Sequence, residues 1–284
     1  MSGRRPMVVA TDLDGTLLRG DLTVSSYTRA MLRRLDETGI RHIIVTGRPA
    51  SGCGALFRSL GYRGLAVCGQ GAQIYDVDSD VLLSHAELDR GAAQAFVARL
   101  TSRIGPVHLA VVTSGPRGEF LTTSAFSRGD ERELSPLPPV HSGDLWSRPI
   151  DKVLLRHDTL SDTELVAEAD VCCAPGLRVT HAGPRIVELL PTGFDKATGL
   201  SRVCAVIGAA PRDVVAFGDM PNDIPMLTWA GHAFAMANGH PRLKAVADEI
   251  APHHDEDGVA VVLDRLLRET VPEPGGNRRR LSPR

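Results

Sequence analysis

Short apolar runs alternate with helical segments at both ends of this 284-residue chain, and this alternation is the strongest constraint on its fold. In the N-terminal part they follow one another in the order Met7–Ala10, Ser25–Glu37, Ile40–Val45, Ala50–Leu60, Leu65–Cys68 and Ala72–Val77. After Pro191 the alternation returns with Lys196–Ile207, Val214–Phe217, Ile224–Ala230, His232–Met236 and Val259–Arg268. Successive strand, helix, strand units imply right-handed crossovers, so the sequence predicts an α/β fold with a parallel sheet between helices.

The middle of the chain follows a different pattern. Leu88–Ile104 is a predicted amphipathic helix, but residues 106–149 are rich in Gly, Pro, Ser and Arg with only brief strand-like runs. The other predicted elements of this part are the strand His108–Thr113, the helix Glu164–Ala169 and the strands Leu177–Thr180 and Ile186–Leu190. We therefore predict a core formed by residues 1–82 and 191–270, with a separate α+β unit inserted at 83–190. Residues 271–284 have almost nothing to bury, and we expect a disordered tail there.

Composition limits the class of protein. Apolar residues make up 43% of the chain and charged residues 23%, as in soluble globular proteins. A net charge of -2 and 4% aromatic residues argue against nucleic acid as a partner. No apolar run approaches the roughly 18 residues that a membrane-spanning helix needs. Five cysteines without metal-ligand spacing predict free thiols and a reducing, cytoplasmic location. Nothing in the composition sets an oligomeric state.

Three of the predicted strands end in polar residues of complementary chemistry. Asp12 and Asp14 follow the first strand, Thr46 follows the second, and Asp219 follows Val214–Phe217. Ligands of open parallel sheets bind outside the carboxyl ends of the strands, so these side chains are expected to meet in one crevice. Taken alone, the segment Asp12–Thr16 also fits a solvated turn, or a metal-binding element of glycosyl transfer.

Two further segments add the chemistry of a phosphate and a cation. Thr46-Gly47-Arg48 offers a hydroxyl and backbone N–H groups to an anionic oxygen, although it also fits an ordinary strand-to-helix turn. Gly218–Asp223 contains two carboxylates and an amide, which can hold a hard cation through oxygen. Lys196 would supply a positive charge at a helix start, although a lysine there is more often solvated.

Together these segments resemble the haloacid dehalogenase superfamily of phosphohydrolases. Asp12–Thr16 looks like the first motif of that superfamily, Thr46–Arg48 like the second, Lys196 like the third and Gly218–Leu227 like the fourth. The resemblance extends to Ala235–Asn238 and Asp255–Ala260, and the insertion is similar to the large cap of the Cof-like branch. Two departures are Gln70-Gly71-Ala72, where that branch usually has Asn-Gly-Ala, and Lys196-Ala197, where it has Lys-Gly.

The resemblance implies a Rossmann-like three-layer core and a Mg²⁺-dependent phosphomonoester hydrolase. Asp12 would be the nucleophile that forms an aspartyl phosphate, and Asp14 the general acid and base. Mg²⁺ would be held by Asp12, the backbone carbonyl of Asp14, Asp219 and Asp223. The remaining implied residues are Thr46, Gly47, Lys196 and Asn222 for phosphate binding, and Arg48, Gln70 and Asn238 for substrate contact. The substrate would be a small phosphorylated metabolite, such as a sugar phosphate, selected by the cap.

Other interpretations of the same motifs remain open. A phosphosugar mutase shares the aspartyl-phosphate step, and a catalytically silent regulator could use the same pocket to bind a phosphosugar. A regulator would have no need of Asp14 as an acid. The segment His253-His254-Asp255 is interpreted as a polar, solvent-facing loop rather than as a second metal site. Arginines of the insertion could meet a substrate anion, although none is singled out; they are Arg117, Arg128, Arg132 and Arg148.

Overall fold

A five-stranded parallel sheet lies at the centre of the N- and C-terminal parts of the chain. The structure, a computed structural model, describes residues 8–115, 117–123, 126, 144–183 and 185–269. The strands of this sheet are β1 (Val8–Thr11), β2 (Arg41–Ile44), β11 (Val214–Gly218), β12 (His232–Met236) and β13 (Glu249–Ala251). Their order is β13-β12-β11-β1-β2, so β1 is central.

Helices cover both faces of the parallel sheet. They are α1 (Ser26–Glu37), α2 (Ala50–Leu60), α5 (Lys196–Ile207), α6 (Ile224–Trp229), α7 (Pro241–Lys244) and α8 (Gly258–Glu269). On one face Leu35 of α1, Phe57 of α2 and Leu263 of α8 pack in a single apolar core. On the other face Leu200 of α5 and Leu227 of α6 do the same. The predicted three-layer α/β core is thereby confirmed.

The register of the sheet brings the polar strand ends to one level. Val8 of β1 pairs with Val214 of β11 and with Arg41 of β2. The chain moves from β1 to β2 on one side and returns through β11 on the other. An open α/β sheet has its ligand crevice at such a reversal of strand order.

The segment after α2 departs from the predicted parallel pattern. β3 (Leu65–Cys68), β4 (Gln73–Asp76) and β5 (Val81–Ser84) form an antiparallel sheet, joined to β2 through the parallel bridge between Val45 and Val67. The tight turn at residues 69–71 reverses the chain after β3, and Gln70 adopts a positive φ of 57° there. Leu65–Cys68 therefore follows the predicted parallel direction at its bridge to β2, and the antiparallel pairing of β4 and β5 is the departure from the predicted pattern.

A third sheet, also antiparallel, occupies the inserted part of the chain. Its order is β7-β6-β8-β10-β9, with β6 (His108–Thr113), β7 (Phe120–Thr122), β8 (Ile150–Arg156), β9 (Leu177–Gly183) and β10 (Ile186–Pro191). The helices α3 (Arg90–Ile104) and α4 (Asp162–Cys172) pack on one face of this inserted sheet, where Phe96, Leu165 and Val153 share an apolar core. The central strand β8 was not predicted from the sequence, because Asp151 and Lys152 interrupt its apolar pattern although both are buried.

Three expectations concern other parts of the chain. All five cysteines are free thiols, as predicted. No helix in the described part of the chain is long and apolar enough to cross a membrane. The predicted tail at 271–284, and Arg128 and Arg132, lie outside the described residues.

Close packing of α5 against the β3 turn gives a stability prediction. A Cβ at Gly199 would lie 2.4 Å from Cγ1 of Val67 and 2.7 Å from Cα of Gly71. Overpacking then outweighs the helix propensity that alanine adds, so Gly199→Ala should lower the free energy of unfolding by about 1–2 kcal/mol. Gly52→Ala is the matched control, since its Cβ meets only ordinary contacts with Pro49. It should raise stability by up to about 1 kcal/mol, as measured by urea unfolding.

Candidate active site

Asp12 lies at the carboxyl end of the central strand and is almost fully buried. Its backbone N–H donates to the carbonyl of Phe217 (3.1 Å), which continues the pairing of β1 with β11 by one residue. A wide turn over residues 13–17 follows and closes with a hydrogen bond from Leu18 N–H to the Leu13 carbonyl (2.8 Å). The turn passes so close to Asp219 that a Cβ at Gly15 would lie 2.3 Å from its Oδ2. Gly15 is therefore required both by this contact and by its φ of 75°.

Lys196 connects the ends of two strands from the start of α5. Its side chain is 1% exposed, and Nζ donates to Oδ1 of Asp12 (2.7 Å) and to Oδ1 of Asp223 (2.6 Å). Oδ2 of Asp223 accepts hydrogen bonds from the backbone N–H groups of Asp219 and Met220, both at 3.0 Å. Asp223 therefore holds the lysine and the loop after β11 together.

The electrostatics of this cluster favour a cation. Burial raises the pKa of Asp12 to about 7, and the carboxylates of Asp223 and Asp14 add to this effect while Lys196 opposes it. Burial, followed by the charges of Asp12 and Asp223, also raises the pKa of Asp219 well above its usual range. Burial disfavours charge on Lys196, but the two carboxylates outweigh it and raise the lysine pKa. One ammonium group thus faces more buried carboxylates than it can neutralise.

The donor set fits a hard divalent cation such as Mg²⁺. Carboxylate oxygens of Asp12, Asp219 and Asp223 lie within 4.8 Å of one another, and oxygen is the ligand that this ion prefers. Both oxygens of Asp223 already accept protein hydrogen bonds, whereas Asp219 accepts one, from Thr16 Oγ1 at 3.2 Å. We therefore assign Asp12 and Asp219 as the side chains best suited to hold the ion, with Asp223 supporting them.

The second motif closes the other side of the crevice. Thr46 is fully buried, and its Oγ1 accepts a hydrogen bond from the N–H of Arg48 (3.1 Å). The Arg48 side chain makes two charged hydrogen bonds to Asp14, Nε to Oδ2 at 2.8 Å and Nη2 to Oδ1 at 2.5 Å. Asp14 and Arg48 are only partly buried, with 32% and 18% of their side chains exposed. The predicted acid is therefore paired with arginine in this structure.

Asn222, predicted to bind the phosphate, and Gln70 and Asn238, predicted to contact the substrate, make contacts within the protein. Asn238 donates from Nδ2 to the Gly15 carbonyl (2.7 Å), and its Oδ1 accepts from the N–H of His254 (3.1 Å). Asn222 donates from Nδ2 to Oε1 of Gln70 (3.1 Å). Asn238 thus stabilises the turn at residues 13–17, and Asn222 and Gln70 connect neighbouring loops.

The segment His253-His254-Asp255 brings possible metal-ligand atoms within 4.8 Å of one another, closer than the sequence suggested. These groups nevertheless have protein partners. The ring of His253 accepts from the N–H of Asp255 (3.2 Å), and Nδ1 of His254 bonds the Leu18 carbonyl (2.8 Å). Asp255 accepts from the N–H of Gly20 (2.8 Å). The segment therefore connects the start of α8 to residues 18–20, which follow the turn at residues 13–17.

Two charged residues of the inserted sheet, which were not predicted from the sequence, contact loops of the candidate site. Lys152 of β8 donates to the Gly47 carbonyl (2.8 Å), and Glu188 of β10 accepts from Nε2 of Gln70 (3.0 Å). Their sequence signal was a charged residue inside an otherwise apolar strand. Arg148, which the sequence placed among possible anion contacts, instead pairs with Glu119 at the surface.

Comparison with known proteins gives matches along nearly the whole chain. The family model described as haloacid dehalogenase-like hydrolase matches residues 9–263. The 5-amino-6-(5-phospho-D-ribitylamino)uracil phosphatase YwtE of Bacillus subtilis is 28% identical, over 91% of this chain and 97% of the relative. A phosphoglycolate phosphatase of Methanopyrus kandleri is 29% identical, over 92% and 97% respectively. A solved structure from Streptococcus mutans shares the fold, with a TM-score of 0.82, 24% identity and coverage of 93% and 99%.

The raised pKa of Asp12 predicts how stability depends on pH when no divalent cation is bound. The folded pKa of about 7 exceeds the ordinary value of 3.8, so the folded state binds the extra proton between these values. Stability must then fall as pH rises through this window. In EDTA we expect the thermal midpoint to decrease between about pH 5 and pH 7, and Asp12→Asn to flatten this slope. A thermal midpoint that rises with pH over this range in both proteins would contradict a raised pKa at Asp12.

Proposed function

Because the chain belongs to the haloacid dehalogenase-like hydrolases, we propose that it hydrolyses small phosphomonoesters through an aspartyl phosphate formed on Asp12. The observation that carries this proposal is the buried cluster in which Lys196 bonds both Asp12 and Asp223, next to Asp219. Such a cluster keeps one carboxylate oriented and accessible to a cation at a strand end. A surface turn would need none of this burial.

In the first step Asp12 attacks phosphorus. Lys196 holds Oδ1, so Oδ2 forms the new O–P bond while the bond from phosphorus to the leaving oxygen breaks. The leaving alkoxide takes a proton from Asp14. In the second step water attacks phosphorus, gives its proton to Asp14, and displaces the Asp12 carboxylate to release inorganic phosphate.

Asp14 must first separate from Arg48, which now holds both of its oxygens. The pair is partly solvent-exposed, so it can open without leaving a charge buried. We propose that entry of the phosphoester, whose anionic oxygens compete for the guanidinium group, releases Asp14 for proton transfer.

Thr46 and Lys196 bind the phosphoryl oxygens in this proposal. Thr46 lies at the carboxyl end of β2, beside the strand that ends in Asp12. Mg²⁺, held by Asp12, Asp219 and the backbone carbonyl of Asp14, would offset the repulsion between the anionic nucleophile and the anionic ester. Lys196 also keeps the Asp12 carboxylate fixed for in-line attack.

The substrate we propose is a small phosphorylated metabolite, such as a sugar phosphate, selected by the inserted part of the chain. The relatives support this class, because their names give a phosphoribitylamino-uracil and phosphoglycolate as the compounds dephosphorylated. A screen of phosphomonoesters should include both of these with a set of sugar phosphates. Release of inorganic phosphate, rather than an isomeric phosphate ester, separates hydrolysis from a mutase reaction.

Asp12→Asn tests the nucleophile. The amide keeps the size of the side chain but cannot form the acyl phosphate, so kcat should fall by about 10³-fold or more. Phosphate release from the best ester of the screen gives the measurement. The exposed Asp78→Asn is the matched control and should retain full activity. Undiminished turnover by the purified Asp12→Asn protein would rule out this mechanism.

Metal removal tests the proposed cation. Because the site offers oxygen ligands, EDTA should abolish phosphate release and added Mg²⁺ should restore it. Thermal unfolding provides a second readout, since a cation that binds only the folded protein raises its midpoint. Asp219→Asn should weaken both effects of Mg²⁺. Restoration by Zn²⁺ alone would contradict an oxygen-rich Mg²⁺ site.

A further inference from the structure

A buried ion pair lies where the inserted sheet meets the core. Lys152 of β8 and Glu188 of β10 are 4% and 2% exposed, and Nζ of Lys152 donates to Oε1 of Glu188. The strands are antiparallel neighbours, with Glu188 opposite Leu154. Lys152 and Glu188 therefore lie on the same face of the inserted sheet, since side chains two positions apart on a strand share a face.

Each member of the pair also contacts a loop of the candidate active site. Nζ of Lys152 donates to the Gly47 carbonyl at 2.8 Å, in the loop after β2. Oε2 of Glu188 accepts from Nε2 of Gln70 at 3.0 Å, in the turn after β3. Oε1 of Gln70 in turn accepts from Nδ2 of Asn222, in the loop after β11. The pair is thus connected to three loops that border the Asp12 crevice.

Glu188 determines which atoms donate and which accept in these hydrogen bonds. A carboxylate can only accept, so Gln70 must direct Nε2 towards it and Oε1 towards Asn222. Asn222 must then use Nδ2 for Gln70, which leaves its Oδ1 as a buried acceptor without a hydrogen-bond partner among the described residues. The orientation of two amide groups therefore depends on one charge of the inserted sheet.

Stability alone is a poor explanation for this pair. Desolvation of two charges is costly, and apolar residues of similar volume often replace a buried pair without loss of stability. Apolar side chains could not, however, bond the Gly47 carbonyl or orient Gln70. These two contacts are what the charges add.

We propose that Lys152 and Glu188 are positioning residues that set the phosphate-binding loops when the inserted sheet is seated on the core. Lys152 acts through the carbonyl of Gly47, which belongs to the same peptide group as the Arg48 N–H that donates to Thr46. Glu188 acts through Gln70 on Asn222. This inference rests on the proposed function, because it assumes that these loops bind a phosphoryl group.

The double variant Lys152→Met/Glu188→Leu separates positioning from stability. We expect its thermal midpoint to stay close to that of the wild type, because the relief from desolvating two charges offsets the hydrogen bonds lost at Gly47 and Gln70. Its kcat/KM should nevertheless fall by about 10–100-fold, as is typical when a supporting contact of a site is lost. The fall should be similar for p-nitrophenyl phosphate and glucose 6-phosphate, and orthovanadate should inhibit less strongly. A loss confined to glucose 6-phosphate would overturn the proposal, because the pair would then recognise the leaving group.

A charge-reversed variant, Lys152→Glu/Glu188→Lys, provides the matched control. It keeps an ion pair between β8 and β10 but places a carboxylate against the Gly47 carbonyl and an ammonium group against the Gln70 amide. Activity should therefore stay as low as in the apolar variant. Recovery to the wild-type level would show that the pair only joins the two strands, and would overturn the proposal.

Hydrogen exchange gives a readout that does not need activity. In the apolar variant the peptide covering residues 45–49 should exchange faster than in the wild type, because the peptide group between Gly47 and Arg48 is no longer held. Unchanged exchange in this peptide would overturn the positioning role. If the wild type released phosphate from no ester, the proposed function would fail, and the exchange experiment would still decide whether the pair holds this loop.

Discussion

One buried ammonium group holds the candidate active site together. Lys196 starts α5 on one face of the sheet, yet its Nζ bonds the residue after β1 and a residue of the loop after β11. Asp223 in turn accepts hydrogen bonds from the backbone N–H groups of Asp219 and Met220, so the lysine also restrains this loop. Loss of one partner from such a buried pair costs about 3–5 kcal/mol, because the remaining charges stay desolvated. The positions of both strand ends, and hence of both candidate metal ligands, depend on this lysine.

The same burial favours a cation at the proposed metal site. Desolvation raises the pKa of Asp12 and Asp219, and a single lysine offsets only part of the carboxylate charge. A bound divalent ion would restore the ionised form of Asp12, which is the form that can act as a nucleophile. In the proposed mechanism, positive charge at this point would therefore both stabilise the carboxylate cluster and keep Asp12 ionised for attack on phosphorus.

The sequence predicted those parts of the molecule in which local pattern and tertiary structure agree. Apolar runs that end in Asp12, Thr46 and Asp219 were sufficient to predict that these strand ends lie together. Register in a parallel sheet aligns strand ends that are distant in the chain. β8 was missed since its charged residues are buried by contacts with another part of the chain, which no local pattern encodes. The pairing of Asp14 with Arg48 was missed for a similar reason. Each motif was recognised separately, but the ion pair between them depends on how the two loops approach each other.

Gln70 shows how the inserted sheet accounts for a departure from the family pattern. Its backbone is left-handed, with a φ of 57°, a conformation that asparagine adopts more readily than glutamine. The Cof-like pattern that this chain resembles usually has asparagine at this position, and glutamine places its amide one methylene group further from the backbone. Its side chain bonds Glu188 at 3.0 Å and Asn222 at 3.1 Å. An asparagine is shorter by one methylene group, so on the same backbone its amide would lie further from both partners. The Gln70 side chain thus connects Glu188 of the inserted sheet, through Asn222, to the loop that carries Asp219 and Asp223.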